Sequence, residues 1–490
     1  MSAEHFDVLI VGAGLSGIGA AYHLQANCPG QTYALLESRD SIGGTWDLFR
    51  YPGIRSDSDM HTLGYSFRPW RQADAIADGP SILNYVRDTA NDHGIAGKIR
   101  FNHCVKRASW STQDARWSVE AERGAERSIV RFTCNFLFMC SGYYQYAEGY
   151  TPDFPGTASF QGRLVHPQKW TADIDYAGKR VVVIGSGATA VTLVPELAKL
   201  AAHVTMLQRS PTYVISLPRQ DRIANFLRRC LPAQAAYGLT RWKNVLFGMF
   251  FYWLSRHHPQ QARNLILRGV RRELGPDYDV DTHFTPRYNP WDQRLCLVPN
   301  GDLFAAIREG RASMVTDQIE TFTARGLKLH SGRELEADLI VTATGLSLQV
   351  LGGMQIVVDG LSVDLSRTLG YKGMMYSDVP NLASALGYTN ASWTLKCDLT
   401  CQYVCRLLNH MQKLGLRQCT PRRSDDPSIT EEPWIDFSSG YIQRSLHRFP
   451  KQGSRAPWKL HQNYALDIMS LRLGAVEDDA MEFSNPAAQR

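Results

Sequence analysis

Residues 6–25 read FDVLIVGAGLSGIGAAYHLQ, and this stretch decides the fold. The apolar run Val8 to Val11 predicts a buried strand. Gly12, Gly14 and Gly17 follow it, and a helical pattern runs from Ser16 to about Asn27, where Pro29 and Gly30 end it. A second strand, Thr32 to Leu36, closes in Glu37. Gly12 permits the tight turn, Gly14 lets backbone approach a pyrophosphate, and Gly17 lets helix and strand pack closely. The helix start offers free N–H groups and the positive end of its dipole to phosphate. Glu37 lies 20 residues beyond Gly17, where a carboxylate accepts from ribose hydroxyls. The complete unit reads as a dinucleotide site; a bare glycine turn in some other α/β domain is the alternative.

Working outward, residues 179–210 repeat the pattern as KRVVVIGSGATAVTLVPELAKLAAHVTMLQRS. The strand Val181 to Ile184 leads into Gly185, Ser186, Gly187, Ala188, Thr189 and Ala190. Pro195 is expected to kink the helix that follows. The next strand, Val204 to Leu207, ends not in an acid but in Gln208-Arg209. An acid there would repel a 2′-phosphate, whereas an arginine pairs with it. The second site therefore reads as an NADPH site and the first, with its free ribose, as an FAD site. Two more strands end in glycine, NFLFMCSG at Gly142 and ADLIVTATG at Gly345, each resembling the last strand of such a unit. The expected fold is α/β with two dinucleotide-binding, Rossmann-like domains. The FAD domain is discontinuous (1–145 and 336–490), and the NADPH domain (146–335) is inserted with a helical excursion over about 220–285.

Composition fits a globular enzyme: 490 residues, 44% hydrophobic and 20% charged. The net charge of +6 is taken as spread along the chain, with no basic block that argues for nucleic acid. The N-terminus enters an apolar strand by Phe6 without a charged, then apolar leader, so a cytoplasmic enzyme is expected. The ten cysteines show no paired zinc spacing, and Cys397, Cys401 and Cys405 form a helical stripe suited to a core, so no metal is expected. The longest apolar run, Val245 to Leu254, is shorter than the ~20 residues a membrane span needs. It reads as a buried helix or a substrate-tunnel wall, with weak peripheral membrane contact as the other possibility.

FAD with NADPH leaves several chemistries open. A thiol relay needs a cysteine pair just after the first glycine region, and residues 41–53, SIGGTWDLFRYPG, contain none. Reaction of reduced flavin with molecular oxygen is the large remaining class.

The linker between the halves, FQGRLVHPQKWT, carries Phe160, Gly162, His166, Trp170 and Thr171. It resembles the fingerprint of Baeyer–Villiger monooxygenases, F-x-G-x-x-x-H-x-x-x-W followed by Pro or Asp, and departs from it only at Thr171. GGTWDLFRYPGIRSDSDMHTLGYSF, YNPWDQRLCLVPNGDLF, GYTNASWTLKCDL and KQGSRAPW extend the resemblance over nearly the whole chain, toward a mycobacterial branch of that family. The resemblance implies oxygen insertion into ketones, with sulfur oxidation of thioethers as a further activity. A sulfur- or nitrogen-oxidising flavin monooxygenase is the alternative, and a flavin-binding redox sensor without turnover a more distant one.

By motif, the resemblance assigns Gly12, Gly14, Ser16, Gly17 and Glu37 to the FAD turn. Thr45, Trp46, Arg55 and Asp57 come next to the flavin, and Val105 offers backbone to the adenine. Gly185 through Ala190 form the NADPH turn, and Arg209-Ser210 the 2′-phosphate clamp. Arg294 is the active-site arginine, with Asp57 orienting it. Many relatives carry Lys before that arginine; here the residue is Gln293, which weakens the expected preference for NADPH. Phe160, Gly162, His166 and Trp170 couple the domains. Residues 389–393, TNASW, are read as a helix start capped by Thr389, Asn390 or Ser392 and aimed at the flavin.

Overall fold

The computed structural model describes residues 3–423 and 426–486. Two sheets dominate it, and each grows from one glycine unit. The strand Glu4–Val11 is buried over its last four residues and lies in the middle of the first sheet. It pairs in parallel with Tyr33–Leu36 on one side and with Ser128–Met139 on the other. The antiparallel strands His103–Ser111 and Arg116–Arg123 extend the sheet beyond Ser128–Met139. The helix Leu15–Asn27 buries Ile18, Ala20, Ala21 and Leu24 and packs against the long helix Trp393–Leu414. Cys397, Cys401 and Cys405 lie buried in that second helix, as the stripe suggested.

The second sheet runs Ala312–Thr316, His203–Gln208, Arg180–Ile184, Leu339–Thr342 and Arg163–Val165, every pairing parallel. Its central strands, Arg180–Ile184 and Leu339–Thr342, read as nearly continuous apolar runs because both faces are covered. After this sheet the chain returns to the first through Gln355–Val358 and Leu382–Ser384. The first unit is thus discontinuous and the second inserted into it.

Two expectations need correction. The return was placed at 335/336, but Leu339–Thr342 pairs with Arg180–Ile184, so the crossing follows that strand. Pro195 sits in the last turn of Ala188–Leu197 and leaves one rung of the ladder empty, and the Ala198 N–H resumes it on the Val194 carbonyl (3.0 Å). Val245 to Leu254 is neither a core helix nor a tunnel wall, since Leu246, Phe247, Phe250 and Trp253 are exposed on the outer face of the helix Ala233–His257.

The helical excursion comprises Arg222–Cys230, Ala233–His257, Pro259–Leu274 and Val280–Phe284. Its longest helix is tied to the first unit. Arg241 donates to the carbonyls of His61 (2.9 Å), Thr62 (3.3 Å) and Gly64 (2.8 Å), and the Tyr237 hydroxyl donates to the Tyr65 carbonyl (3.0 Å).

Candidate active site

A single cleft of about 1090 Å³ runs between the two glycine turns, somewhat above the ~300–1,000 Å³ of an ordinary ligand pocket. At one end Gly12 holds φ 107° with its α-carbon backed against the Cys140 carbonyl, where a β-carbon would stand 2.6 Å from oxygen. Gly14 faces the Gly44 α-carbon, and a β-carbon there would come within 3.3 Å. Glu37 is buried, and its carboxylate accepts from the amides of Ala13 (2.7 Å) and Arg39 (3.0 Å). It therefore braces the turn as well as facing the cleft. Thr45, Trp46 and Val105 line the same end.

The helix Trp393–Leu414 starts on this wall, and the Trp393 indole N–H donates to the Ser16 hydroxyl (2.9 Å). Ser392 is its N-cap residue, yet its hydroxyl meets that of Thr62 at 2.6 Å and makes no cap bond. Thr389 and Asn390 bond to Gln462 instead. The capping expectation therefore fails because all three side chains are engaged elsewhere.

At the other end Gly185 (φ 135°) backs onto the Ala343 carbonyl, and Ser186, Gly187, Ala188 and Thr189 line the cleft. Ala190 is fully buried behind them. Arg209 and Ser210 are exposed at the rim, and Arg209 has no carboxylate partner among the described residues. Gln208 points inward, donating to the His283 carbonyl (2.7 Å).

Between the two ends stands Arg294. The turn before it places Trp291 in left-handed backbone (φ 69°), and the strand Cys296–Pro299 after it pairs with Val214–Leu217. Its guanidinium lies 2.8 Å from the Asp57 carboxylate, joining residues 237 positions apart. Asp57 holds the guanidinium above its ordinary value, outweighing the opposing effect of burial. The remaining 32% exposure of the Arg294 side chain is toward the cleft it lines. Arg55 also lines the cleft, but its guanidinium is paired with Asp302.

Three tyrosines around Arg294 escaped the sequence reading. Burial raises the phenols of Tyr143 and Tyr441 and pushes Tyr144 up to about 12, so all three stay neutral donors near pH 7. Tyr143 and Tyr144 directly follow the strand-end glycine at Gly142, a signal that was available. Tyr441 arrives from a distant segment with no local signal.

The linker residues do not line the cleft. Gly162 is pinned between the Phe160 ring and the Asp338 carbonyl, and Trp170 is buried against the second core. His166 accepts from the Gln168 amide at Nδ1 (3.2 Å), which leaves Nε2 to donate to the Gly345 carbonyl (3.1 Å). Burial lowers its pKa, so the ring stays neutral. Its bond spans the linker and the loop that returns from the second sheet.

Residues 74–350 match the flavin-binding monooxygenase-like family, and residues 10–75 match the NAD(P)-binding Rossmann-like domain. The chain belongs to the flavin-binding monooxygenase family. It is 55% identical to the FAD-containing monooxygenase EthA of Mycobacterium tuberculosis over 486 residues, 99% of each chain. It is 52% identical to EthA of Mycolicibacterium smegmatis, over 99% of this chain and 98% of that one. Among solved structures, a steroid monooxygenase bound to NADP superposes with TM-score 0.76 at 21% identity, covering 98% of this chain and all of the other. At that identity the match concerns the fold alone. No helix among the described residues is long and apolar enough to cross a membrane.

Proposed function

We propose that this monooxygenase holds FAD at the first turn and NADPH at the second, and converts ketones to esters or lactones, with thioether sulfoxidation as a second activity. The residues fit both groups. Glycine at 12 and 14 lets the turn back closely against Cys140 and Gly44 and offer its own backbone to a pyrophosphate in the cleft, and Glu37 lines the same end for the ribose. Arg209 is an exposed cation where the 2′-phosphate of NADPH comes. FAD reduced by NADPH supplies the activation of molecular oxygen.

The chain's own contribution is electrostatic. Oxygen insertion into a ketone passes through a tetrahedral adduct with negative charge on oxygen. Arg294 cannot lose its proton under working conditions, and it stands in the cleft with the Asp57 carboxylate 2.8 Å from its guanidinium. It is placed to donate to that oxygen as charge develops. The neutral tyrosines around it exclude water while offering hydroxyls. The Arg294–Asp57 pair carries this reading.

The test is ester formed per NADPH consumed, with hydrogen peroxide assayed alongside. Arg294→Ala is expected to keep its flavin yet lose about 10²–10³ in ester formation, releasing peroxide instead. Arg294→Lys recovers little, because a point charge does not reproduce the planar fork. Sulfoxide formation, which develops no such oxyanion, falls less. Ester formation by Arg294→Ala at wild-type yield overturns the assignment and favours a sulfur- or nitrogen-oxidising enzyme.

A further inference from the structure

The helix Ala233–His257 is polarised the wrong way round for a soluble surface. Its inward face carries Ala236, Tyr237, Thr240, Arg241, Val245 and Ser255, held largely by hydrogen bonds. Its outward face carries Leu239, Trp242, Leu246, Phe250 and Trp253, each between 46% and 58% exposed. These five recur at steps of three and four, which places them on one stripe of an α-helix. Phe247 adds to its edge at 61%. Neighbouring elements continue the apolar surface. Ile223 and Phe226 are exposed on Arg222–Cys230, which packs on this helix, and the Tyr464 ring meets Trp242 at 5.7 Å. Leu466 and Met469, just after Tyr464, are exposed as well.

Charge is concentrated in the same place. Residues 222–272 contain ten Lys or Arg and no Asp or Glu. Taking those ten from the chain's 53 leaves 43 against 47 acidic residues, so the positive balance belongs to this excursion and is not spread along the chain. Arg241, Lys243, Arg256 and Arg271 pair with carboxylates. Among the described residues Arg222, Arg228, Arg229, Arg263, Arg268 and Arg272 have no such partner.

We infer that this excursion is an in-plane docking surface for an anionic lipid bilayer. An interfacial helix combines a broad apolar stripe rich in Trp, Phe and Leu with arginines for lipid headgroups. A second copy of the chain is the poorer occupant, because a two-fold contact would set six unpaired arginines against six more. The stripe's far end touches the active-site segment: Tyr252 packs edge-on against Trp291 (5.6 Å), and Arg256 pairs with Asp292 (3.1 Å). Docking would therefore set the turn that carries Arg294 beside the lipid.

The experiment is flotation of the flavin-loaded enzyme with vesicles of phosphatidylcholine alone, or of phosphatidylcholine and phosphatidylglycerol in equal parts. The wild type is expected to float with the anionic vesicles, and less so as salt is raised. The variant Leu246→Glu, Phe250→Glu, Trp253→Glu is expected to lose binding by at least about a hundredfold, each large apolar side chain being worth roughly tenfold or more. It keeps its flavin and its NADPH oxidation in vesicle-free buffer. Arg222→Gln, Arg229→Gln, Arg268→Gln and Arg272→Gln together leave the stripe intact and abolish the preference for anionic vesicles, at about fivefold per arginine. This second variant decides the matter should the first misfold. A wild type that floats with neither vesicle, or glutamine variants that float as the wild type does, overturns the inference. A stripe variant that changes only the size of the particle in sedimentation shows instead a contact between copies. None of these outcomes depends on the ketone chemistry.

Discussion

The two glycine turns share a backbone and differ in how the chain closes over them. Gly12 and Gly185 both adopt positive φ, and both back onto the carbonyl that ends a returning strand, Cys140 in one and Ala343 in the other. Beyond that point they part. A β-carbon on Gly17 would lie 1.9 Å from the Gly12 carbonyl oxygen, whereas the same place in the second turn already holds Ala190. Gly14 is met by Gly44, while Gly187 faces open space. Glu37 is buried and braced by two amides; Arg209 stands exposed and unbraced. The first turn is built into the protein, as suits a group that stays bound. The second is left open, as suits a reductant that comes and goes.

Substitution at Gly17 breaks the comparison most severely. Gly17→Ala drives a β-carbon into backbone that has nowhere to move, so the variant is expected to yield little folded, yellow protein. Ala190→Gly at the equivalent place only removes a methyl from a helix, costing about 1 kcal/mol, and is expected to fold. Flavin absorbance and thermal unfolding of the pair read the difference. A yellow Gly17→Ala protein with unchanged unfolding would mean that the two turns are equally tolerant.

Glu37→Gln comes next. The amide keeps the shape and loses the charge that the Ala13 and Arg39 amides meet. Charge-assisted bonds at a buried position are worth up to about 3 kcal/mol, so FAD is expected to bind about a hundredfold more weakly. Titrating the flavin-free protein by flavin fluorescence measures this, and KM for NADPH is expected to stay put. Undiminished FAD affinity would show that Glu37 only braces the turn.

Both turns were legible because everything that defines them lies in a few contiguous residues: an apolar strand, glycines whose spacing is steric, a helix and a strand end. The active site was legible only through family likeness. No local pattern joins Asp57 to Arg294, and Tyr441 reaches them from a segment with no periodicity to announce it. The caps at Thr389 and Asn390 were misread because a side chain that can cap can equally bond to Gln462, a tertiary choice. The run Val245 to Leu254 was misread for a different reason. Counting apolar residues says nothing about which face they occupy; the steps from Leu239 to Trp253, set against Thr240, Arg241 and Ser255, would have shown it.

The smallest effect sharpens the comparison at its open end. Arg209 follows the second strand where Glu37 follows the first, and Gln293 beside Arg294 supplies no second cation for the 2′-phosphate. On the proposed reading, discrimination between NADPH and NADH rests mainly on one exposed side chain. Solvent weakens such a contact, so Arg209→Ala is expected at the lower end of the range for charge-assisted bonds, about 1.5 kcal/mol, or roughly tenfold in KM for NADPH. KM for NADH, which has no 2′-phosphate, is expected to change little, and FAD content not at all. Arg209→Glu should push further in the same direction, since the carboxylate repels the phosphate while resembling the acid of the first turn. Steady-state KM for each coenzyme, measured at two salt concentrations, separates a phosphate contact from a general loss of positive field. Only a general loss of field would raise both values together. If Arg209→Ala does that, the 2′-phosphate is read elsewhere and the two turns differ less in ligand than their strand ends suggest.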